Sequence, residues 1–202
     1  NPRTTFSIYL MQSSMFYTLE YIWCAIFHPH KLDLDAFILY THSNEFHYAI
    51  LFSLFEFFIG NYIGSKYPKL SILKDIKRLN TINKFGLFLV LFGQSIRTIA
   101  QFTAGVSFTH QIALQRKDKH KLVTSGIYKY IRHPSYCGFF YWSIGTQLLL
   151  GNPISFIGYF ISSWIFFYQR VPYEEEYLIQ FFGDEYIEYR KKTPGTLIPF
   201  NW

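Results

Sequence analysis

Two groups of residues in the C-terminal half have the types and order to do chemistry. The first is Gly126-Ile127-Tyr128-Lys129-Tyr130-Ile131-Arg132-His133-Pro134-Ser135-Tyr136. Proline suits the first position of a helix, because the N–H it lacks would have no intrahelical partner there. The N–H groups that follow, together with the helix dipole, make a site for an anion. Arg132 and His133 stand just outside that opening and add donors. The plainer alternative is an interfacial turn in which the same two side chains anchor the chain at lipid headgroups. The second group is Arg170-Val171-Pro172-Tyr173-Glu174-Glu175-Glu176-Tyr177. Arg170 and Glu174 are one turn apart and share a face on a continuous helix. Pro172 cannot sit unstrained in a helix interior, so a kink, or a helix beginning at Pro172, is expected. Taken alone, such an acidic run is an ordinary solvated face.

The elements that must bring these groups together are apolar. Of 202 residues, 50% are hydrophobic, 22% aromatic and only 16% charged, against about a quarter charged in soluble domains. The apolar residues fall in long runs at 6–27, 46–64 and 85–102, each about 20 residues and long enough to cross a bilayer. The net charge of +6 is spread over loops between these runs, which favours anionic lipid or an anionic ligand over nucleic acid. Residues 136–150 and 154–168 are apolar arms joined by Gly151-Asn152-Pro153. They read as a helical hairpin that returns the chain after Tyr168 to the neighbourhood of His133.

Other features are weaker. Glu20 and Glu56 interrupt apolar runs and suit hydrogen bonds between helices, or, for Glu20, a reach to the interface. Arg97 inside the third run is either the polar wall of a site or a side chain snorkelling to the interface. Ile72, Leu73, Ile76 and Leu79, with basic residues between them, suggest a short amphipathic helix on the membrane surface. Phe182 to Lys192 suggests an amphipathic tail. Cys24 and Cys137 are expected as buried free thiols, and no zinc-ligand spacing or cleavable leader is evident. His28-Pro29-His30 is expected as a helix stop.

The C-terminal half resembles a known family over residues 97–200. The matching stretches are Arg97-Thr98-Ile99-Ala100, Thr103-Ala104-Gly105-x-Ser107-Phe108 and Leu122-Val123-x-Ser125-Gly126-x-Tyr128. Arg132-His133-Pro134-Ser135-Tyr136-x-Gly138-Phe139-Phe140, Ser143-Ile144-Gly145-Thr146-Gln147, Glu174-Glu175-x-Tyr177-Leu178-Ile179 and Phe181-Phe182-x-x-Glu185-Tyr186-x-Glu188-Tyr189 follow. Together they resemble the isoprenylcysteine carboxyl methyltransferases. Arg-His-Pro with a later Glu-Glu is shared with phospholipid N-methyltransferases and, more loosely, membrane sterol reductases. The Ser143 to Gln147 and Arg97 to Ala100 blocks point to the isoprenylcysteine branch.

The resemblance implies an all-α integral membrane protein of about five membrane helices, including the C-terminal hairpin. A single methyltransferase domain over 1–202 is expected, with transmembrane helices in 1–103 and a catalytic region in 104–202 that contains the hairpin 136–168. The chain begins at Asn1, without methionine, and the family carries further spans upstream, so an N-terminal truncation is expected. The cofactor pocket is expected to be helix-built and cytosolic, since no Gly-x-Gly-x-x-Gly follows a strand. The implied reaction moves a methyl group from S-adenosyl-L-methionine, with S-adenosylhomocysteine as product, to the C-terminal carboxylate of a prenylated cysteine. Substrates would be CaaX proteins such as small GTPases and lipopeptide pheromones, met at the endoplasmic reticulum membrane by a multi-pass protein whose site faces the cytosol. Arg170 is the implied catalytic residue, and Arg170, Arg97 and Trp142 the substrate contacts. The implied cofactor contacts are Gln115, His120, Lys121, Leu122, Val123, Tyr128, His133, Pro134, Ser135, Tyr136 and Glu174. Membrane lipid is the other partner; no metal and no nucleic acid are called for. The rivals are a lipid amine methyltransferase, a NADPH-dependent sterol reductase and a non-enzymatic membrane scaffold.

Overall fold

The computed structural model describes residues 1–32, 44–67, 76–116 and 121–199, and within them every regular element is helical. The main helices are α1 (Pro2–Phe27), α2 (Asn44–Lys66), α3 (Ile76–Ala104), α4 (Pro134–Leu150), α5 (Pro153–Phe182) and α6 (Asp184–Lys192). The amphipathic segment read around Ile72 lies partly outside the described residues; its remainder opens α3. Phe46–Lys66 and Asn80–Ser107 are long and apolar enough to cross a bilayer. On α2, Leu51, Phe55, Phe58 and Tyr62 stay exposed, forming an apolar face of the kind that lipid covers.

Local chemistry explains the helix ends. Asn1 accepts a hydrogen bond from the Arg3 amide at 3.0 Å and Pro2 occupies the first turn of α1. The helix stops before Pro29, since the residue preceding proline is pushed out of helical geometry. The hairpin turn is built as its sequence suggests. Gly151 adopts φ 74° and ends α4, a left-handed conformation that glycine takes without steric cost. Pro153 then opens α5.

The centre of the fold is the antiparallel pairing of α3 with α4, which touch along most of their lengths. Glycine makes the approach possible. A Cβ on Gly138 would fall 2.6 Å from the Gly93 carbonyl oxygen, and one on Gly93 would fall 2.5 Å from the Trp142 nitrogen. Gly86 and Gly145 repeat the arrangement toward the other end. Small residues let helix backbones meet where no aqueous driving force exists between apolar surfaces. As a result α4 is buried almost all round, and Cys137, Phe140 and Ile144 pack with Ile96 of α3 and Phe167 of α5.

Two polar anchors fix the helices around this pair. Glu56 of α2 accepts from the amides of Ile154 and Ser155 at 2.8 and 2.7 Å and from the Ser155 hydroxyl, and so caps α5. A carboxylate there satisfies orphan donors and meets the positive end of the helix dipole. Beside it, Ser53 donates to Gln147 at 2.7 Å and Asn152 donates to the Ser53 carbonyl at 2.8 Å. On α1, Glu20 takes the helix-to-helix role and not the interfacial one: it is fully buried and bonded to Arg97 and Gln101 of α3.

The helix α5 excludes one of the two alternatives expected at Pro172. It does not begin at Pro172; it is continuous over 30 residues with Pro172 inside. At 1.5 Å per residue that is about 45 Å, longer than a bilayer core. The missing Pro172 N–H costs one rung of the ladder, to the Tyr168 carbonyl, and the remaining turns carry Arg170 and Glu174 onward on one face.

Gly138→Ala is expected to destabilise the protein by about 1–3 kcal/mol, because a methyl group there meets backbone that has no room to move. Gly158→Ala, with nothing within 4 Å of the added carbon, should be neutral or slightly stabilising. Thermal unfolding of the two purified variants checks the contrast.

Candidate active site

The site forms where the turn before α4 meets the returning length of α5. Gly126, at φ 58°, starts a short 3-10 turn, Gly126–Lys129. The chain then reaches Arg132 and His133, and Pro134 takes the first helical position. The backbone opening is narrower than the sequence suggests. The Tyr136 and Cys137 amides both donate to the His133 carbonyl at 3.1 Å, while no such bond is made by the Ser135 N–H among the described residues.

Arg132 and His133 also differ from expectation. Neither is a loose donor at the rim. Arg132 is 6% exposed; it donates to Glu175 at 2.8 Å and to the Thr193 carbonyl at 2.8 Å. His133 Nε2 lies 3.2 Å from the same Glu175 oxygen. An ionised carboxylate only accepts, so that nitrogen carries the proton. Arg190 approaches the other oxygen of Glu175 at 3.4 Å. Burial pushes the Glu175 carboxyl up, but hydrogen bonding and charge from His133 and Arg132 outweigh it and hold the group down at about 2.

Glu174, about 100° round the helix from its neighbour, faces the other way. It accepts a hydrogen bond of 2.5 Å from the Tyr136 hydroxyl. The same hydroxyl accepts from Arg170 Nε at 2.8 Å. Arg170 donates a second time, from Nη2 to the His110 carbonyl at 2.6 Å, and its guanidinium lies over the Tyr136 ring at 5.3 Å. Tyr136 itself is stacked between His133 and Phe167, with ring centroids 5.5 and 5.0 Å away. The hairpin therefore does return Arg170 and Glu174 to the turn at His133, with one tyrosine bridging all three.

A partly open cavity of about 910 Å³, counting the space at its mouth, lies against this cluster. Lys121, Leu122, Val123, Tyr128, His133, Pro134, Ser135, Tyr136 and Glu174 line it; these are positions named above as expected cofactor contacts. The sequence reading missed the far wall: Tyr177, Leu178, Phe181 and Phe182 from α5, and Tyr186 and Tyr189. The signal was present as an aromatic stripe continuing past Glu174, which reads equally well as membrane-surface packing. The Tyr189 hydroxyl donates to the Tyr128 carbonyl at 2.7 Å and ties α6 to the turn. Burial pushes the phenols of Tyr128, Tyr186 and Tyr189 well above their ordinary range, so these walls are neutral.

Some residues fall elsewhere. Gln115 is exposed and outside the cavity lining, where Ile112 and Ala113 stand instead. Next to it, Arg116 donates to the Phe181 carbonyl at 2.7 Å and packs on the Phe182 ring. His120 lies outside the described residues. Arg97 neither snorkels nor lines the cavity. It is buried behind it, paired with Glu20 and donating to the Ser135 hydroxyl at 2.9 Å. Trp142 is 5% exposed and stacks on Phe16 at 4.2 Å, which places it in the helix core.

The Glu175 clamp has a pH signature. Its value of about 2 lies below the ordinary 4.5, so between those values the unfolded chain binds more protons than the native one. Its stabilising contribution is complete above about pH 4.5 and is lost as pH falls toward about 2. Thermal unfolding of Glu175→Gln should show a shallower decline across this window than the unmodified protein. Parallel slopes would refute the clamp.

Sequence and fold comparisons agree with this architecture. A model of the isoprenylcysteine carboxyl methyltransferase (ICMT) family matches residues 86–180. A protein-S-isoprenylcysteine O-methyltransferase of Dictyostelium discoideum is 45% identical over 188 residues, covering 93% of this chain and 75% of that protein. The human protein of the same name is 44% identical over 195 residues, with 96% of this chain and 65% of the relative covered. A solved structure described as a eukaryotic intramembrane Ras methyltransferase superposes with a TM-score of 0.88 at 36% identity, over 100% of this chain and 68% of that one. The chain thus spans about two thirds of the length of several of its relatives. With a relative 45% identical over 93% of this chain and 75% of its own length, and a solved structure superposed over all of the chain, the chain belongs to the isoprenylcysteine carboxyl methyltransferase family.

Proposed function

We propose that this chain carries the catalytic part of a membrane-embedded enzyme that methylates the C-terminal carboxylate of a prenylated cysteine, with S-adenosyl-L-methionine as methyl donor. The observation that supports it best is Arg170, which lies outside the cavity lining but is bound to the cavity-lining Tyr136 and to the His110 carbonyl, with the cavity-lining Glu174 one turn away. Two of its five N–H groups are used in these bonds, which leaves donors for a carboxylate.

The cavity residues fit the donor. Its amino-acid carboxylate would meet the Ser135 amide and the helix N-terminus, its ammonium or ribose would meet Glu174, and its purine would pack between Tyr128 and the aromatic wall of α5 and α6. When bound, S-adenosylmethionine supplies an electrophilic methyl carbon on a sulfonium. The protein needs no general base, because the accepting carboxylate is already ionised near neutral pH. Its work is alignment and exclusion of water. Arg170 forks onto the substrate carboxylate, and the Tyr136 hydroxyl, by engaging Nε, fixes the plane of that fork. A single cation orients the carboxylate while leaving its nucleophilicity largely intact.

On this reading α1 to α5 form about five membrane helices, with the site on the cytosolic face of the endoplasmic reticulum membrane. The prenyl chain approaches laterally from lipid, attached to CaaX proteins such as small GTPases. The lipid-amine and sterol-reductase readings gain no support from the comparisons.

Arg170→Ala should lower methyl transfer to a prenylcysteine analogue by at least about a hundredfold while S-adenosylmethionine affinity stays nearly unchanged. Equal loss of both would remove Arg170 from the substrate side. Glu174→Ala should weaken cofactor binding by about tenfold, measured by calorimetry. A radiolabelled transfer assay that offers the full-length protein a prenylcysteine carboxylate and a phospholipid amine decides the substrate class.

A further inference from the structure

We propose that Glu20 of α1 is a positioning residue for this reaction: through the ring of His110 it holds the backbone carbonyl against which Arg170 is aligned. The inference rests on the reading of Arg170 as the substrate-carboxylate contact. It concerns a helix outside the residues that the family model matches.

Glu20 is fully buried. A carboxylate in such a place is stable only with partners, and breaking a buried pair is far more costly than its net contribution. Two partners come from α3: Arg97 Nε on one oxygen, and Gln101 Nε2 on the other at 2.6 Å. The oxygen shared with Gln101 also lies 3.5 Å from His110 Nε2. His110 belongs to no helix; it sits in the irregular stretch after Gly105–Ser107. Its place is therefore set by what its ring and carbonyl touch.

The ring contacts come from α1 and the loop itself. Trp23 packs edge-on against the His110 ring at 5.3 Å, as does Phe108, also at 5.3 Å. The Trp23 indole is fixed by donating to the Gln101 carbonyl at 3.1 Å. A ring of His28, just past α1, lies 3.2 Å from the Phe108 carbonyl. Glu20, Trp23 and His28 thus form a bracket for the loop. On the loop's other side the His110 carbonyl accepts from Arg170 Nη2. Tyr136 engages Nε of the same guanidinium, so the two contacts together set its plane. Release His110, and Arg170 keeps its charge but loses one of the two bonds that aim it.

The test measures discrimination, which damage to the fold alone would not change. In nanodiscs with S-adenosylhomocysteine bound, the full-length protein is titrated with a prenylcysteine carboxylic acid and with its methyl ester. The unmodified protein should prefer the acid. Glu20→Gln and the milder His110→Ala should each cut that preference by about tenfold, while ester affinity and cofactor affinity stay within about twofold of the unmodified protein. Should Glu20→Gln fail to fold, His110→Ala decides. An undiminished acid preference in His110→Ala overturns the proposal, as does an equal loss of acid and ester binding. Arg170→Ala separates the two levels of argument. If it abolishes the preference and His110→Ala does not reduce it, only this inference fails; if Arg170→Ala leaves the preference intact, the reading of Arg170 fails with it.

Discussion

The arrangement of the site depends on a carboxylate that lies outside the cavity lining. Glu175 is 5% exposed and holds Arg132 and His133, the two residues immediately before α4, against α5. Without that clamp the turn and the returning helix would be joined only by the bonds of the Tyr136 hydroxyl to Glu174 and Arg170 and by apolar packing, which resists sliding poorly. Charged hydrogen bonds in a low-dielectric setting are directional and strong, and leaving any member unpaired is costly. The cost of burying three ionisable groups is offset by mutual pairing, and what is gained is register. With Glu175 fixed, Glu174 faces the cavity from another side of the same helix, and Arg170 engages Tyr136 of the cavity wall.

That register reaches far along the molecule. The glycine-lined contact between α3 and α4 fixes the position of α4, while Glu56 and the Ser53–Gln147–Asn152 group fix the start of α5. From that start a long helix delivers Arg170 and Glu174 on schedule, one turn apart, in spite of Pro172. Behind the turn, Arg97 carries a second buried pair to Glu20 and supports Ser135 from the side away from the cavity. The guanidinium that looks like a substrate ligand in the linear sequence is thus part of the wall's foundation.

Much of this was legible in the sequence for local reasons. Proline after His133 marks a helix start, Gly151-Asn152-Pro153 marks a turn, and one-turn spacing puts Arg170 with Glu174. Each rule operates within a few residues of chain. The structure places residues otherwise than the linear pattern suggests where that pattern had more than one partner to choose from. Arg132 looked like an anion donor but spends its head on Glu175 and Thr193. Gln115 looked like a purine contact but is exposed, next to an Arg116 that bonds the Phe181 carbonyl. Trp142 had the right polarity for a prenyl contact, yet stacks on Phe16 inside the bundle.

By itself the sequence determined the helices, their ends, the hairpin and the residue types that meet at its open end, because propensity, apolar periodicity and turn chemistry act over one or two turns. Only the tertiary structure decided the division of labour. Of two adjacent glutamates, one clamps and one faces the cavity; of two arginines, Arg97 is paired and buried while Arg170 is half-buried and bound to Tyr136 and the His110 carbonyl. That choice turns on which side of a helix meets a neighbour from a distant part of the chain. A rotation of about 100° per residue lets side chains next to each other in sequence end in opposite environments.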